Sequence, residues 1–223
     1  MKKNEYPWLV ALVKNGGLKP YCGGALISSN TVLTSAQCRY PIGFFKAHVR
    51  EHDVTNSDGE IKIEAAEFDY EYIEYEYDYI QYYDIQNIGP FGYDYDLAII
   101  RLEEHVIFSS AVSPICLPNP DHSYMGRKGL LAGWGSLSNG SRPDVPHDVE
   151  LDIISNTKCI DTQVYRPQDV PDSMFCAGPD KSFSWSDKGG PLMAYEGGGR
   201  YFFNSWISLL ELQFHCIRTI FSS

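Results

Sequence analysis

Lys188 ends the stretch Ser184-Trp185-Ser186-Asp187-Lys188. The amine of its side chain could take part in chemistry in two ways, as a nucleophile or as a base. A lysine acts as a nucleophile or as a base only when its pKa is lowered enough to leave the amine uncharged. Asp187 is the immediate neighbour, and an adjacent carboxylate favours the charged ammonium instead. We therefore expect Lys188 to form a salt bridge with Asp187 or Asp96 rather than to attack a substrate.

The segment from Phe183 to Leu192 resembles the loop of the trypsin and chymotrypsin family that reads Cys-x-Gly-Asp-Ser-Gly-Gly-Pro-Leu and carries the nucleophilic serine. The aspartate, both later glycines, the proline and the leucine are in place, but Lys188 stands at the position of the serine. Ser186 stands where the family has the glycine that contributes an oxyanion donor. The resemblance thus assigns Ser186 and Asp187 to the oxyanion loop.

Two further segments resemble the parts of the family that carry the other catalytic groups. Thr31 to Cys38 is similar to the strand end that reads Val-Leu-Thr-Ala-Ala-His-Cys, which puts Gln37 at the position of the catalytic histidine. Tyr95 to Leu102 is similar to Asp-Ile-Ala-Leu-Leu-Arg-Leu, which puts Asp96 at the position of the acid that orients that histidine. Hydrolysis by this family needs a hydroxyl nucleophile and a base as well as this acid. The resemblance therefore implies a protein without an intact catalytic set.

Two other histidines could in principle act as a base in place of Gln37. His48 and His52 lie in the segment Ala47 to Val54, which resembles a strand that the family keeps away from the catalytic centre. We expect both to be strand or surface histidines.

Six cysteines have no paired C-x-x-C spacing of the kind that binds zinc, so they indicate disulfides in an oxidising compartment. The resemblance implies two pairs, Cys22 with Cys38 and Cys159 with Cys176. The remaining two cysteines are expected to be unpaired or joined to another chain. They are Cys116, which in relatives often holds an amino-terminal pro-segment, and Cys216, whose usual partner position is occupied by Ser184.

The charge and hydropathy of the chain exclude some classes of partner. The net charge is −11 among 223 residues, which argues against a basic face for nucleic acid. No apolar run approaches the length of a membrane span. Asn139-Gly140-Ser141 is an N-glycosylation sequon, and no motif favours a metal or an organic cofactor. These features predict a secreted, extracellular glycoprotein.

The segment from Glu67 to Asp96 alternates tyrosines with carboxylates, as a strand with one aromatic face and one acidic face would. One interpretation is a hairpin with a solvated face. The other is an exosite that attracts a basic protease or zymogen and offers tyrosine rings as anchors, with sulfation of these tyrosines as a further alternative. The candidate exosite consists of Tyr70, Tyr72, Tyr75, Tyr77 and Tyr79.

The resemblance implies an all-β fold of two six-stranded antiparallel barrels in a single domain over residues 1–223. The first barrel is expected over about residues 6–110 and the second over about residues 125–216. Past Trp206 the sequence departs from the family, so we expect the second barrel to be truncated at its C-terminus, without its last strand and closing helix.

Three functional interpretations follow from these observations. The first is a non-catalytic serine protease homologue, similar to those of arthropod haemolymph, that acts as a secreted binding cofactor or adaptor in an extracellular proteolytic cascade such as one of innate immunity. The second is an active serine endopeptidase, which requires sequence errors at Gln37 and Lys188. The third is a decayed or misassembled gene product without a function.

Overall fold

The computed structural model describes residues 1–39, 45–57, 59–69, 98–118, 123–137, 139–161, 170, 174–178, 188–195, 201–206 and 215–218. The elements of this part of the chain are almost all strands, joined by one short α-helix and one 3-10 helix. The strands are β1 (Leu9–Lys14), β2 (Cys22–Ser28), β3 (Thr31–Thr34), β4 (Phe45–Val49), β5 (Ile61–Asp69), β6 (Ala98–Leu102), β7 (Lys128–Gly133), β8 (His147–Ile154), β9 (Met174–Gly178), β10 (Pro191–Tyr195), β11 (Tyr201–Trp206) and β12 (His215–Arg218). The 3-10 helix is Ala36–Arg39 and the α-helix, α1, is Asn156–Asp161.

The first six strands form a closed antiparallel barrel in the order β1-β2-β3-β6-β5-β4. Strand β1 pairs on one side with β2, where Val10 lies opposite Gly24, and on the other side with β4, where Val10 lies opposite Val49. Five consecutive residues of β1, from Leu9 to Val13, are buried, so this strand is covered on both faces. Closure leaves this barrel without an unpaired edge strand.

The other six strands form a second antiparallel sheet in the order β11-β10-β7-β8-β9-β12. The prediction of an all-β fold is confirmed: both halves are six-stranded antiparallel sheets, of which the first closes into a barrel. Strand β12 adds a detail that the sequence did not suggest. This strand has none of the residues that the family uses at its last strand, yet its backbone pairs with β9 from His215 to Arg218. Strand pairing is made by main-chain groups, so β12 pairs with β9 as the sixth strand of this sheet, where we expected the last strand to be missing. The expected loss of the closing helix lies outside the described residues.

The largest of the described clusters of buried side chains draws on both halves. The main cluster of buried side chains belongs to the first barrel but also includes Ala132, Trp134 and Met193 from the second half. Trp8 and Met193 meet within this cluster, where the indole Nε1 of Trp8 donates to Sδ of Met193 at 3.0 Å. A smaller cluster around Phe175 fills the second sheet. The site described next lies where the two halves meet.

Candidate functional site

Gln37 is carried by the 3-10 helix that follows β3, and the helix is held from three directions. Its first turn closes on Ser35, whose carbonyl oxygen accepts from the Cys38 amide at 3.0 Å and whose hydroxyl accepts from the Gln37 amide at 3.2 Å. The Cys22–Cys38 disulfide ties the helix to the start of β2. The hydroxyl of Tyr21 donates to the carbonyl oxygen of Cys38 at 2.9 Å. These contacts fix the backbone beside Gln37.

Lys188 lies in the turn that leads into β10 from the other half of the molecule. Its carbonyl oxygen accepts a hydrogen bond of 2.7 Å from the Gly23 amide of β2. Gly23 has no side chain at this contact, and a Cβ built there would lie 2.9 Å from the Cα of Gly190. The two backbones can approach this closely only because Gly23 has no side chain.

Gly189 is required at its position for two independent reasons. Its φ of +75° lies in the left-handed region, which residues with a side chain adopt at a cost. A Cβ at this position would also lie 2.6 Å from the Gly23 carbonyl oxygen and 2.9 Å from Sγ of Cys38, and closer still to Oγ1 of Thr34. Only glycine fits at this position because the turn that contains Lys188 packs against the Cys22–Cys38 disulfide.

The side chains of Gln37 and Lys188 meet between the two halves. Nζ of Lys188 donates a hydrogen bond of 2.9 Å to Oε1 of Gln37, and both residues are half-buried. An ammonium group can only donate, which explains why the oxygen of the Gln37 amide faces it. The pair thus joins two positions that are 151 residues apart in the sequence.

This pair offers limited chemistry. A carboxamide does not accept and return a proton near neutral pH, and neither Gln37 nor Lys188 brings a hydroxyl or an imidazole. In this contact the amine of Lys188 acts as a hydrogen-bond donor. What the arrangement can do is present a positive charge and polar groups to a ligand.

The sequence comparison decides the family of this fold. The family model described as Trypsin matches residues 1–207. This chain belongs to the trypsin family. The most similar solved structures include neuropsin, a serine protease expressed in the limbic system of mouse brain, which has 23% sequence identity, a TM-score of 0.78 and coverage of 99% of this chain and 92% of that one. This likeness concerns the fold.

Curated relatives within the trypsin family include several arthropod proteins. The serine proteinase stubble of Drosophila melanogaster is 31% identical over 219 residues, which cover 92% of this chain and 26% of that protein. The venom serine protease Bi-VSP of Bombus ignitus is 34% identical, with 84% and 53% covered. Phenoloxidase-activating factor 3 of Holotrichia diomphalia is 30% identical, with 87% and 58% covered. The chain therefore spans between about a quarter and three fifths of the length of these relatives.

The remaining predicted site residues divide into those that the structure describes and those that lie outside the described residues. Asp96, Ser186, Asp187 and the five tyrosines of the candidate exosite lie outside them, so an ion pair from Lys188 to either aspartate stays a prediction. Asn139 is exposed in a turn between β7 and β8.

The structure also describes the cysteines. Both disulfides that the resemblance implied, Cys22–Cys38 and Cys159–Cys176, are present. Cys116 is an exposed free thiol. Cys216 lies on β12 directly opposite Cys176 of β9, although its side chain is outside the described set.

His48 is not part of the Gln37–Lys188 pair. It is buried on β4, where its Nδ1 lies 3.0 Å from Oε2 of Glu51. This pair borders a cleft of about 220 Å³ whose walls also include Leu18 and Lys62. No three His, Cys, Asp or Glu side chains in the described part of the chain converge to form a metal site. Nor do the described residues include a helix that is long and apolar enough to cross a membrane.

Two features beside the site were not predicted from the sequence. One is the Tyr21 hydroxyl that supports Cys38, which a lone tyrosine before a cysteine does not reveal. The other is a set of contacts between the first barrel and the loop after β7, in which Lys19 and Arg142 take part. Such contacts join segments that are distant in the sequence, so no local motif predicts them. The sequence signal for them is limited to two charged residues that each precede a proline, Lys19-Pro20 and Arg142-Pro143.

Proposed function

We propose that this chain is a non-catalytic member of the trypsin family that binds a protein partner in an extracellular proteolytic cascade. The observation that carries the proposal is the hydrogen bond of 2.9 Å from Lys188 to Gln37. The two residues that match the nucleophile and the base by sequence are in contact, as a serine and a histidine would be in an active relative. Their side chains satisfy each other instead of activating a hydroxyl.

The loss of two members of a catalytic set removes nearly all turnover. Removing the nucleophile or the base alone costs about 10⁶-fold in a well-studied serine protease, and the losses are not additive. Binding does not depend on these groups, so the protein-binding surface of the family can persist without hydrolysis.

Two observations support a role in a proteolytic cascade: the similarity of the chain to an activating factor, and its negative net charge. Phenoloxidase-activating factor 3, one of the relatives, is by its name a factor that activates another enzyme. The two disulfides suit an oxidising, extracellular setting. A net charge of −11 favours association with a basic partner, and a candidate contact surface is the tyrosine-rich segment with Tyr70, Tyr72, Tyr75, Tyr77 and Tyr79.

The test of catalysis uses the chain secreted from eukaryotic cells. It is incubated with fluorogenic peptide amides that carry basic, aromatic or small residues before the cleaved bond, and with a phosphonate probe that labels activated serines. We expect neither hydrolysis nor labelling. The matched control is the double variant Gln37→His with Lys188→Ser, which we expect to be labelled, whereas each single variant is not. Hydrolysis by the unaltered chain that disappears in Lys188→Met would contradict the proposal.

The test of binding replaces the five exosite tyrosines with serine. Capture of a basic partner protease or zymogen by the secreted chain should be lost, and capture by the unaltered chain should weaken as salt is raised. Tyr195→Ser is the control, because this tyrosine is 54% exposed on β10, in the other half of the molecule. Undiminished capture by the exosite variant would disprove this contact surface.

A further inference from the structure

The loop after β7 is fastened to the first barrel by four hydrogen bonds or ion pairs, which we call the rim clasp. Nζ of Lys19 lies 2.8 Å from Oδ1 of Asp144 and donates to the carbonyl oxygen of Arg142 at 2.9 Å. Nη2 of Arg142 donates to the carbonyl oxygen of Pro20 at 3.1 Å, and the amide of Val54 donates to the carbonyl oxygen of Asp144 at 3.0 Å. The clasp holds the loop in one place.

The sequon Asn139-Gly140-Ser141 forms the tip of this loop. Oδ1 of Asn139 accepts from the amide of Ser141 at 2.9 Å and from its hydroxyl at 2.7 Å. The turn is closed at its base by Leu137, whose amide donates to the Ser141 carbonyl oxygen at 2.8 Å. Gly140 has a φ of +79° and no atom within 4 Å of a built Cβ, so the space around the tip is open. Both Asn139 and Ser141 are exposed.

The geometry points to an N-linked glycan on Asn139 that stands at the rim of the Gln37–Lys188 site. The sequence has no second Asn-x-Ser/Thr sequon, so Asn139 is the single candidate for N-linked glycosylation in this sequence. The disulfides indicate passage through the oxidising compartment in which this modification is made. This inference is independent of whether the site hydrolyses peptides.

The chemistry requires a co-substrate from the secretory pathway, an oligosaccharide carried on a polyprenyl diphosphate lipid. Nδ2 of Asn139 attacks the anomeric carbon of the first sugar. The new carbon–nitrogen bond forms as the anomeric carbon–oxygen bond breaks, the lipid diphosphate leaves with the bonding electron pair, and one amide proton is released. The hydrogen bonds from Ser141 engage Oδ1 and not Nδ2, and Asn139 is exposed.

The position of the glycan follows from a short chain of contacts. Asn139, at the loop tip, lies three residues before Arg142, whose side chain donates a hydrogen bond to the carbonyl oxygen of Pro20. Tyr21 follows Pro20 in the chain, and its hydroxyl donates to the carbonyl oxygen of Cys38, the residue after Gln37. A glycan has to extend from this edge because the rim clasp fixes the loop. It should therefore hinder large molecules that approach the loop of Leu18 and Lys19, while small molecules pass.

The first experiment asks whether the glycan exists. The chain is secreted from eukaryotic cells and treated with peptide N-glycosidase, which converts a glycosylated asparagine to aspartate. We expect a mobility shift and the conversion of Asn139 in the peptide mass spectrum. Asn139→Gln and Ser141→Ala should abolish the shift, whereas Ser141→Thr, which keeps the hydroxyl, should retain it. An unaltered chain that does not shift would overturn the inference.

The second experiment tests the position, in a background with Cys116→Ser and Cys216→Ser, which replaces the two cysteines outside the described disulfides. Leu18→Cys, at a side chain that is 72% exposed beside the clasp, is labelled with a small maleimide and with one that bears a large polymer. Removing the glycan should speed labelling by the large reagent several-fold and leave the small reagent unchanged. Ile107→Cys is the control, since Ile107 is 86% exposed and lies away from the clasp. The preceding residue, Val106, donates a hydrogen bond to the carbonyl oxygen of Ser29, which follows the end of β2 that is opposite Tyr21. Equal rates at Leu18→Cys with and without the glycan would overturn the position.

Discussion

Lys188 donates a hydrogen bond of 2.9 Å to the side-chain oxygen of Gln37 across the junction of the two halves of the fold. Both residues lie on backbone that is immobilised by other contacts, since the disulfide and Tyr21 hold Cys38 and the Gly23 amide holds the Lys188 carbonyl. The hydrogen bond between Lys188 and Gln37 therefore joins two backbone segments that are each held by other contacts. Its energetics can be measured directly.

We predict that Gln37 and Lys188 are energetically coupled. A hydrogen bond to a charged group contributes roughly 1.5 to 3 kcal/mol, and partial exposure lowers the contribution of this one below that range. In a double-mutant cycle with Gln37→Leu and Lys188→Met, measured by urea unfolding, we expect a coupling free energy of about 1 kcal/mol. The matched control pairs Lys188→Met with Leu117→Ala, an exposed residue between β6 and β7, and should give none. Additive effects in the first cycle would show that the contact does not contribute to stability.

We predict that Gly189→Ala is much more damaging than Gly126→Ala. Both glycines have a left-handed φ, +75° and +78°, so both variants incur a backbone cost of about 1 to 2 kcal/mol. Only Gly189 also has Thr34, Gly23 and Cys38 in the space that the methyl group needs, which adds about 1 to 3 kcal/mol. The comparison uses chemical denaturation of both variants. Equal losses would mean that the turn at Lys188 can move away from the disulfide.

Tyr21 should make the stability fall at alkaline pH. Burial raises the pKa of its hydroxyl above the usual value for tyrosine, so the folded state resists ionisation. The unfolded chain ionises from about pH 10. The stabilisation is therefore complete below that pH and is lost as the pH rises towards the raised pKa of the folded state. Unfolding curves from neutral to alkaline pH measure the effect.

The variants for this prediction are Tyr21→Phe and Tyr195→Phe. At neutral pH, Tyr21→Phe should cost about 1 kcal/mol because the hydrogen bond to Cys38 is lost. Above about pH 10 its stability should decline less steeply than that of the parent. Tyr195→Phe, at an exposed side chain, should follow the parent. A slope that Tyr21→Phe leaves unchanged would rule out Tyr21 as its source.

The rim clasp should protect its own loop from proteolysis. Trypsin cuts after basic residues but not before proline, so the bond after Arg142 should stay intact in the parent. Pro143→Ala makes this exposed bond cleavable, but only when the loop opens locally. Adding Lys19→Ala removes the contacts to Asp144 and to the Arg142 carbonyl and should therefore speed cleavage. Mass spectrometry of the fragments gives the rates, and identical rates for the single and double variants would refute a protective clasp.

Much of this fold could be predicted from contiguous stretches of sequence. The segments around Cys22, Cys38 and Gly189 match family motifs, and short motifs specify local backbone and its disulfide well. The second sheet was less predictable at its edge. Strand β12 has none of the family's residues there, because pairing with β9 needs a main chain that can extend, not particular side chains.

The sequence by itself determined the family and the two disulfides, and it predicted which residues stand at the catalytic positions, since each of these depends on residues that are close in the chain. It predicted Asp96 or Asp187 as the partner of Lys188, and these two lie outside the described residues. Only the tertiary structure revealed the contact with Gln37 and the rim clasp. Both join segments more than 80 residues apart, and the partner of a side chain there depends on how the two halves pack, which no local motif encodes.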